Sequence, residues 1–304
     1  MIPATQFIVL PDGRRLAYVD DGPRDGRPVV HLHGGGHSRL TRHPDAALLD
    51  AAGVRCITVD RPGIGRSDGQ RRRGIADWGP DAEVLADGLG LGTLVVSGHS
   101  MGGPFAVAAA AHLGDRVERL VLAGGLPPLD DPAVFAGLDA FNRRLYTVAC
   151  RAPWLVPLLL RRMVARRHRD PEAFHRDYYA DAPPADAVAA ADPQLGTLLR
   201  ESQLEAVASG VGGLAREIVL VARPWEIDAG GVTAPAVYLY GADDHVVGAG
   251  AAAAYRAVLG EALEVQRVEG AGHLIPLTHW PVMLEAIRPG TCANRDPGAP
   301  RQAR

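Results

Sequence analysis

The sequence predicts an α/β protein, with a mostly parallel central sheet, helices on both of its faces and a helical segment inserted late in the chain. Three observations carry this expectation. Short β-rich runs are apolar at nearly every position, as strands buried on both faces must be. Helix-forming stretches separate these runs, so strand and helix alternate. The alternation lapses between about 127 and 228, where helical patterns dominate, and then resumes.

Residues 6–20 read as a β-hairpin: FIVL, a turn at Pro11-Asp12-Gly13, then RRLAYVD. A strand over Pro28–His33 (PVVHLH) ends in Gly34-Gly35-Gly36, and a helix over 44–52 precedes the strand VRCITV at 54–59. Asp60-Arg61-Pro62-Gly63 breaks the chain there. A helix over 77–90 leads to the strand TLVVS (93–97), a sharp turn, an Ala-rich helix from Gly102 to Leu113 and the strand VERLVLA (117–123). Beyond the insertion come the strand APAVYLY (234–240), a helix over 248–259, the strand LEVQRV (263–268) and a last helix over 281–287. The expected organisation is a core of residues 1–126 and 229–290, a helical cap over 127–228 and a mobile tail over 291–304, which lacks periodicity. Within the cap, residues 181–193 (DAPPADAVAAADP) read as a biased connector.

Composition narrows the function classes. A chain of 304 residues with 47% hydrophobic and 22% charged residues can bury one sizeable core. All of its 32 basic residues are arginine, and a net charge of −3 gives no general nucleic-acid footprint. Cys56, Cys150 and Cys292 are odd in number and scattered, so neither a disulfide framework nor a CxxC pair is predicted. No basic-then-apolar leader opens the chain, and its apolar runs fall short of the ~20 residues of a membrane span. The expectation is a soluble, cytoplasmic protein.

The strongest chemical signal is Gly98-His99-Ser100-Met101-Gly102, which fits G-x-S-x-G. An apolar strand runs into it and a small-residue helix runs out, the setting in which a tight turn exposes a serine hydroxyl at the sheet's edge. A serine nucleophile needs a base, and the base needs an orienting acid. Gly241-Ala242-Asp243-Asp244-His245 and Gly270-Ala271-Gly272-His273 follow the last two strands, so the order serine, aspartate, His273 is in place. Oxyanion donors would be the backbone amides of Gly35, in the turn His33-Gly34-Gly35-Gly36, and of Met101. His99, beside the serine, would shape the pocket. His31, His37, His245 and His279 show no metal-ligand spacing, and no G-x-G-x-x-G opens the first helix, so no metal and no cofactor are predicted.

Taken together, HLHGGG, Asp60 to Ser67 (DRPGIGRS), GHSMGG, LYGADD and GAGH resemble the α/β-hydrolase fold family, in its serine-nucleophile branch with a helical cap. Esterases, epoxide-hydrolase-like and proline-iminopeptidase-like proteins populate that branch. The resemblance implies an acid three residues after the glycine of LYGADD, which selects Asp244 over Asp243. Ser100 stands where dehalogenase- and epoxide-hydrolase-type members carry an aspartate, which disfavours those reactions. HGGGHS lacks the proline of the iminopeptidase pattern HGGPGG, which disfavours peptidase activity.

The favoured expectation is hydrolysis of a carboxylic ester or related acyl bond of a small to medium molecule through an acyl-enzyme. The rivals are acyl transfer, a lyase or a cyclase step with the same residues, and a non-catalytic ligand-binding protein. Glu201, Glu205 and Glu217, and the basic stretch Arg161 to Arg169, are expected on solvated helix faces, with Leu155, Leu159 and Met163 on the buried side. The alternatives are an amine site for the glutamates and, for the arginines, attraction of an anionic substrate or a membrane surface.

Overall fold

The computed structural model describes residues 4–43, 45–248 and 250–288. The expected tail over 291–304, Cys292 and the end of the expected core lie outside the described residues. Eight strands form one sheet: β1 (Gln6–Val9), β2 (Arg15–Asp21), β3 (Arg27–Leu32), β4 (Val54–Val59), β5 (Leu94–His99), β6 (Val117–Ala123), β7 (Ala236–Gly241) and β8 (Glu264–Val268). Their order is β1-β2-β4-β3-β5-β6-β7-β8. The β1–β2 hairpin and the β2–β4 pair are antiparallel, and every later pair is parallel.

The apolar strands are buried on both faces because side chains alternate. Val30, Leu32, Val96, Leu120 and Leu122 face one cluster, which includes Trp78 and Leu85 of the helix Trp78–Gly88 and Phe105 of the helix Gly102–Leu113. Val29, Val95, Val121 and Val237 face the opposite cluster with Leu49 and Met283. Parallel pairing from β4 to β8 brings the carboxyl ends of β3, β5, β6, β7 and β8 to one edge, where loops carry reactive groups in open α/β sheets.

Between β6 and β7 lie seven α-helices: Pro132–Ala136, Ala140–Arg151, Val156–Arg169, Pro171–Tyr178, Pro184–Ala191, Pro193–Glu205 and Gly212–Val221. Several expectations fail within this insertion. Residues 184–191 are helical, capped at their start by prolines, and are not a plain connector. Leu159 is 39% exposed, while Val156 and Leu160 supply the buried face of their helix. Glu217 is fully buried between Arg61 and Arg73 of the core, and Glu205, partly buried, pairs with the buried Arg39 and the exposed Arg66. Glu201 is exposed as expected. Arg167 is buried, unlike Arg161, Arg162, Arg166 and Arg169 on the same helix.

Two contacts draw this insertion onto the core. Glu217 accepts from Arg61 at 2.8 and 2.9 Å and from Arg73 at 3.1 Å. Glu205 accepts from Arg39 at 2.6 Å and from Arg66 at 2.8 Å. Arg39 also bonds Asp60, the first residue of the DRPG break, so one network ties the break to the insertion. The helix Gly212–Val221 comes so close that a Cβ on Gly213 would stand 1.9 Å from the Gly63 carbonyl oxygen.

Candidate active site

Ser100 sits immediately after β5 with φ of +51°, a left-handed conformation that side chains rarely adopt. Its surroundings hold it there. The Ser100 amide donates to the Ala123 carbonyl at 3.2 Å, and the Ser100 carbonyl accepts from Gly103 at 2.9 Å and Leu126 at 2.8 Å. The turn also demands glycines: a Cβ on Gly102 would lie 2.1 Å from the Leu32 carbonyl, and one on Gly98 would lie 2.6 Å from the Gly102 carbonyl.

The acid and base come from the ends of β7 and β8. His273 Nδ1 donates to Asp244 Oδ2 at 2.8 Å, which leaves Nε2 as the ring's free acceptor. Asp244 Oδ1 accepts from the Val246 amide at 2.8 Å. Asp243 is exposed and only its backbone is engaged, with Ala271. Burial would push the Asp244 carboxyl up, but the neighbouring His273 charge and the amides of Val246 and Val247 hold it below its ordinary value. For His273 the balance is inverted: burial pushes the imidazole down, and the Asp244 carboxylate outweighs it and raises the pKa. Gly124, at the end of β6, makes room for the pair, since a Cβ there would lie 3.2 Å from both Asp244 Oδ2 and His273 Nδ1.

The turn after β3 completes the edge. A Cβ on Gly34 would lie 3.3 Å from Ser100 Cβ and 3.1 Å from His99 Nδ1, so the turn lies directly against the serine. A Cβ on Gly35 would strike the Met101 sulfur, so the Met101 side chain packs against the backbone of this turn. Gly36 takes φ of +71° to reverse the chain. His33 is fully buried and donates from Nδ1 to the Gly34 carbonyl at 2.9 Å, while its own carbonyl accepts from Arg61 at 2.7 Å. His99 donates from Nε2 to the His273 carbonyl at 2.9 Å, and its ring lies 4.9 Å from the His273 ring. Burial and the His273 charge keep His99 well below the usual imidazole range, so it is neutral. Each ring thus holds a backbone carbonyl of the site's loops in place.

One participant has no sequence signal of its own. Asp186, on the insertion helix Pro184–Ala191, is buried and accepts from the His273 amide at 2.6 Å and the Leu274 amide at 3.0 Å. Gly272 permits this approach, since a Cβ there would lie 2.5 Å from Asp186 Oδ2. Half of the signal was therefore visible in the GAGH run, and its partner 87 residues away was not.

Comparisons with known proteins identify the fold. A family profile described as alpha/beta hydrolase fold matches residues 27–279. The chain is 36% identical over 126 residues to the non-heme haloperoxidase of Rhodococcus erythropolis, covering 40% of this chain and 45% of that protein. It is 38% identical over 154 residues to a 2-hydroxy-6-oxononadienedioate/2-hydroxy-6-oxononatrienedioate hydrolase of Burkholderia vietnamiensis, covering 48% and 52%. The chain thus spans about half the length of the curated relatives it matches. The solved structure of an esterase from Rhodococcus sp. ECU1013 superposes with a TM-score of 0.65 at 20% identity, over 93% of this chain and 99% of that one.

Proposed function

We propose, from the premise that the chain belongs to the alpha/beta hydrolase fold family, that it cleaves a carboxylic ester or related acyl bond through a covalent acyl-enzyme on Ser100. The observation that carries this reading is the 2.8 Å bond from His273 Nδ1 to Asp244, at the sheet edge that also holds Ser100 in a left-handed turn. With the Nδ1 proton committed to Asp244, His273 Nε2 takes the Ser100 hydroxyl proton as Oγ attacks the acyl carbon. The amides of Gly35 and Met101 stabilise the oxyanion. Collapse breaks the acyl–oxygen bond, and His273 returns its proton to the departing alkoxide. Water then gives a proton to His273, attacks the acyl carbon and releases the acid with regeneration of Ser100.

The helical insertion serves as the cap of this site and limits access to small and medium molecules. Its helix Pro184–Ala191 reaches the His273 loop directly, which supports that role. The test is rapid mixing with 4-nitrophenyl esters of graded acyl length. A burst of one nitrophenolate per protein, followed by slower turnover, is the expected result. Turnover without a burst, carried by a Ser100→Ala variant as well, would contradict the acyl-enzyme.

A further inference from the structure

Among the described residues, six arginines are buried: Arg39, Arg42, Arg61, Arg73, Arg119 and Arg167. Five of them meet a carboxylate, from Asp60, Asp21, Glu217 (twice) and Glu264. Arg167 does not. Its guanidinium donates to the Gln203 carbonyl at 2.7 Å and lies 4.6 Å from the centre of the Phe174 ring, and its Nε has no hydrogen-bond partner. A guanidinium cannot shed its charge at working pH, and a buried charge without a counter-ion is costly. The other buried arginines show how this chain ordinarily meets that cost.

Arg167 also sits where an anion would matter. Gln203 adjoins Ser202, whose hydroxyl accepts from the Ser38 amide at 2.9 Å. Ser38 adjoins His37, which follows the Gly34–Gly36 turn. His37 is buried, and its Nδ1 has no partner. Burial, and after it the charges of Arg167 and His273, pushes its pKa down to about 3. His37 is thus a neutral ring within electrostatic reach of both the unpaired arginine and the candidate base. The unpartnered Arg167 Nε–H and the unpartnered His37 Nδ1 are thus joined, through Gln203, Ser202 and Ser38, to the loop that follows the glycine turn.

We propose that Arg167 and His37 form an anion subsite of this active site, and that the substrate carries a carboxylate remote from the bond that is cleaved. The inference rests on the reading of Ser100 as the nucleophile. One fixed positive charge and one neutral donor match a singly charged carboxylate better than a phosphate dianion. The guanidinium presents Nε–H to one carboxylate oxygen, and His37 Nδ1–H serves the other when its proton sits on that nitrogen.

The test compares kcat/KM for two matched pairs of esters on the full chain. Mono-4-nitrophenyl glutarate is set against 4-nitrophenyl pentanoate, and 4-acetoxybutyrate against pentyl acetate, so that the charge lies on the acyl or on the alcohol side. The expected result is a preference of about tenfold or more for the charged member of one pair. That ratio falls to about one in Arg167→Gln, is partly kept in Arg167→Lys, and persists in Arg162→Gln, an exposed position on the same helix. A wild-type ratio near or below one in both pairs overturns the proposal, whether or not the variants fold. So does a preference that survives Arg167→Gln, or inhibition by inorganic phosphate as strong as that by glutarate. If the protein turns over no ester and takes no fluorophosphonate, yet binds glutarate in an Arg167-dependent way by calorimetry, the hydrolase reading fails and the subsite stands.

Discussion

At His273, burial and charge act in opposite directions, and the Asp244 carboxylate decides the outcome by raising the imidazole pKa. In the proposed mechanism the ring must be neutral to accept the serine proton, so we expect acylation to rise with pH through that raised value. Asp244→Asn removes the opposing charge and the Nδ1 acceptor. We expect the inflection to move downward and acylation to slow by about 10⁴, as in a triad whose histidine takes the wrong tautomer. Asp243→Asn, at an exposed neighbour, leaves both nearly unchanged, and stopped-flow acylation from pH 5 to 9 checks the pair. Asp186 makes a second prediction at this scale. Asp186→Ala leaves the His273 and Leu274 amides without acceptors, for a loss of about 1–3 kcal/mol of stability. It lowers kcat more than it raises KM, because it loosens the base rather than the substrate, and steady-state kinetics beside a urea melt separate the two effects. That a serine, an aspartate and His273 stand at strand ends was legible because each follows a strand in a short pattern, whereas the choice of Asp244 over Asp243 came from the family resemblance alone. Asp186 was not, because its partner amides carry no residue-type information and its own run of alanines and prolines looks like a linker.

The strand–turn–helix from β5 to the helix Gly102–Leu113 is the element on which the serine depends. Its left-handed Ser100 persists because neighbouring backbone closes in from β3 and β6. Gly102→Ala would drive a methyl group into the Leu32 carbonyl, so the turn must open or the helix must retreat. We expect that variant to lose acylation far beyond its loss of thermal stability, as read by acylation rate beside melting temperature. This element was legible from sequence because its glycines and its apolar strand serve local geometry. The helix Val156–Arg169 was less so. A basic run ordinarily faces water, but Leu159 is exposed and Arg167 buried, because the neighbouring helix Pro193–Glu205 supplies a carbonyl for the guanidinium at the 203 position. Which face of a helix is buried depends on what packs on it, and residues 160 to 169 contain too few apolar positions to decide that alone.

Across the whole molecule, the insertion and the core share buried charges. Glu217 is shared by Arg61 and Arg73, and Arg61 also holds the His33 carbonyl at the start of the glycine turn. Removing the insertion would strand Arg61 and Arg73 in the core without a carboxylate, so the two parts should not fold separately. Glu217→Gln leaves two guanidinium groups facing a neutral partner, and we expect a loss of about 3–5 kcal/mol at pH 7 by urea denaturation. Burial pushes the Glu217 carboxyl up, but the two arginines bring it below its ordinary 4.5 in the folded state. The stability it contributes is therefore full above that pH and disappears as pH falls through the lowered folded value, where wild type and variant converge. Strand–helix alternation and a helical stretch between two strands were legible in the periodicity, whereas the strand order was not, and the ion network that docks insertion on core joins residues 139 to 166 positions apart. The central claim is that Ser100 is the acyl-accepting nucleophile of this site. Its most direct test is intact-mass and peptide mapping after reaction with a small alkyl fluorophosphonate at pH 8. The account predicts one adduct per chain, on the peptide containing Ser100, absent in Ser100→Ala and formed far more slowly in His273→Ala. No adduct on folded protein, or an adduct carried by any other residue at full rate, would contradict it.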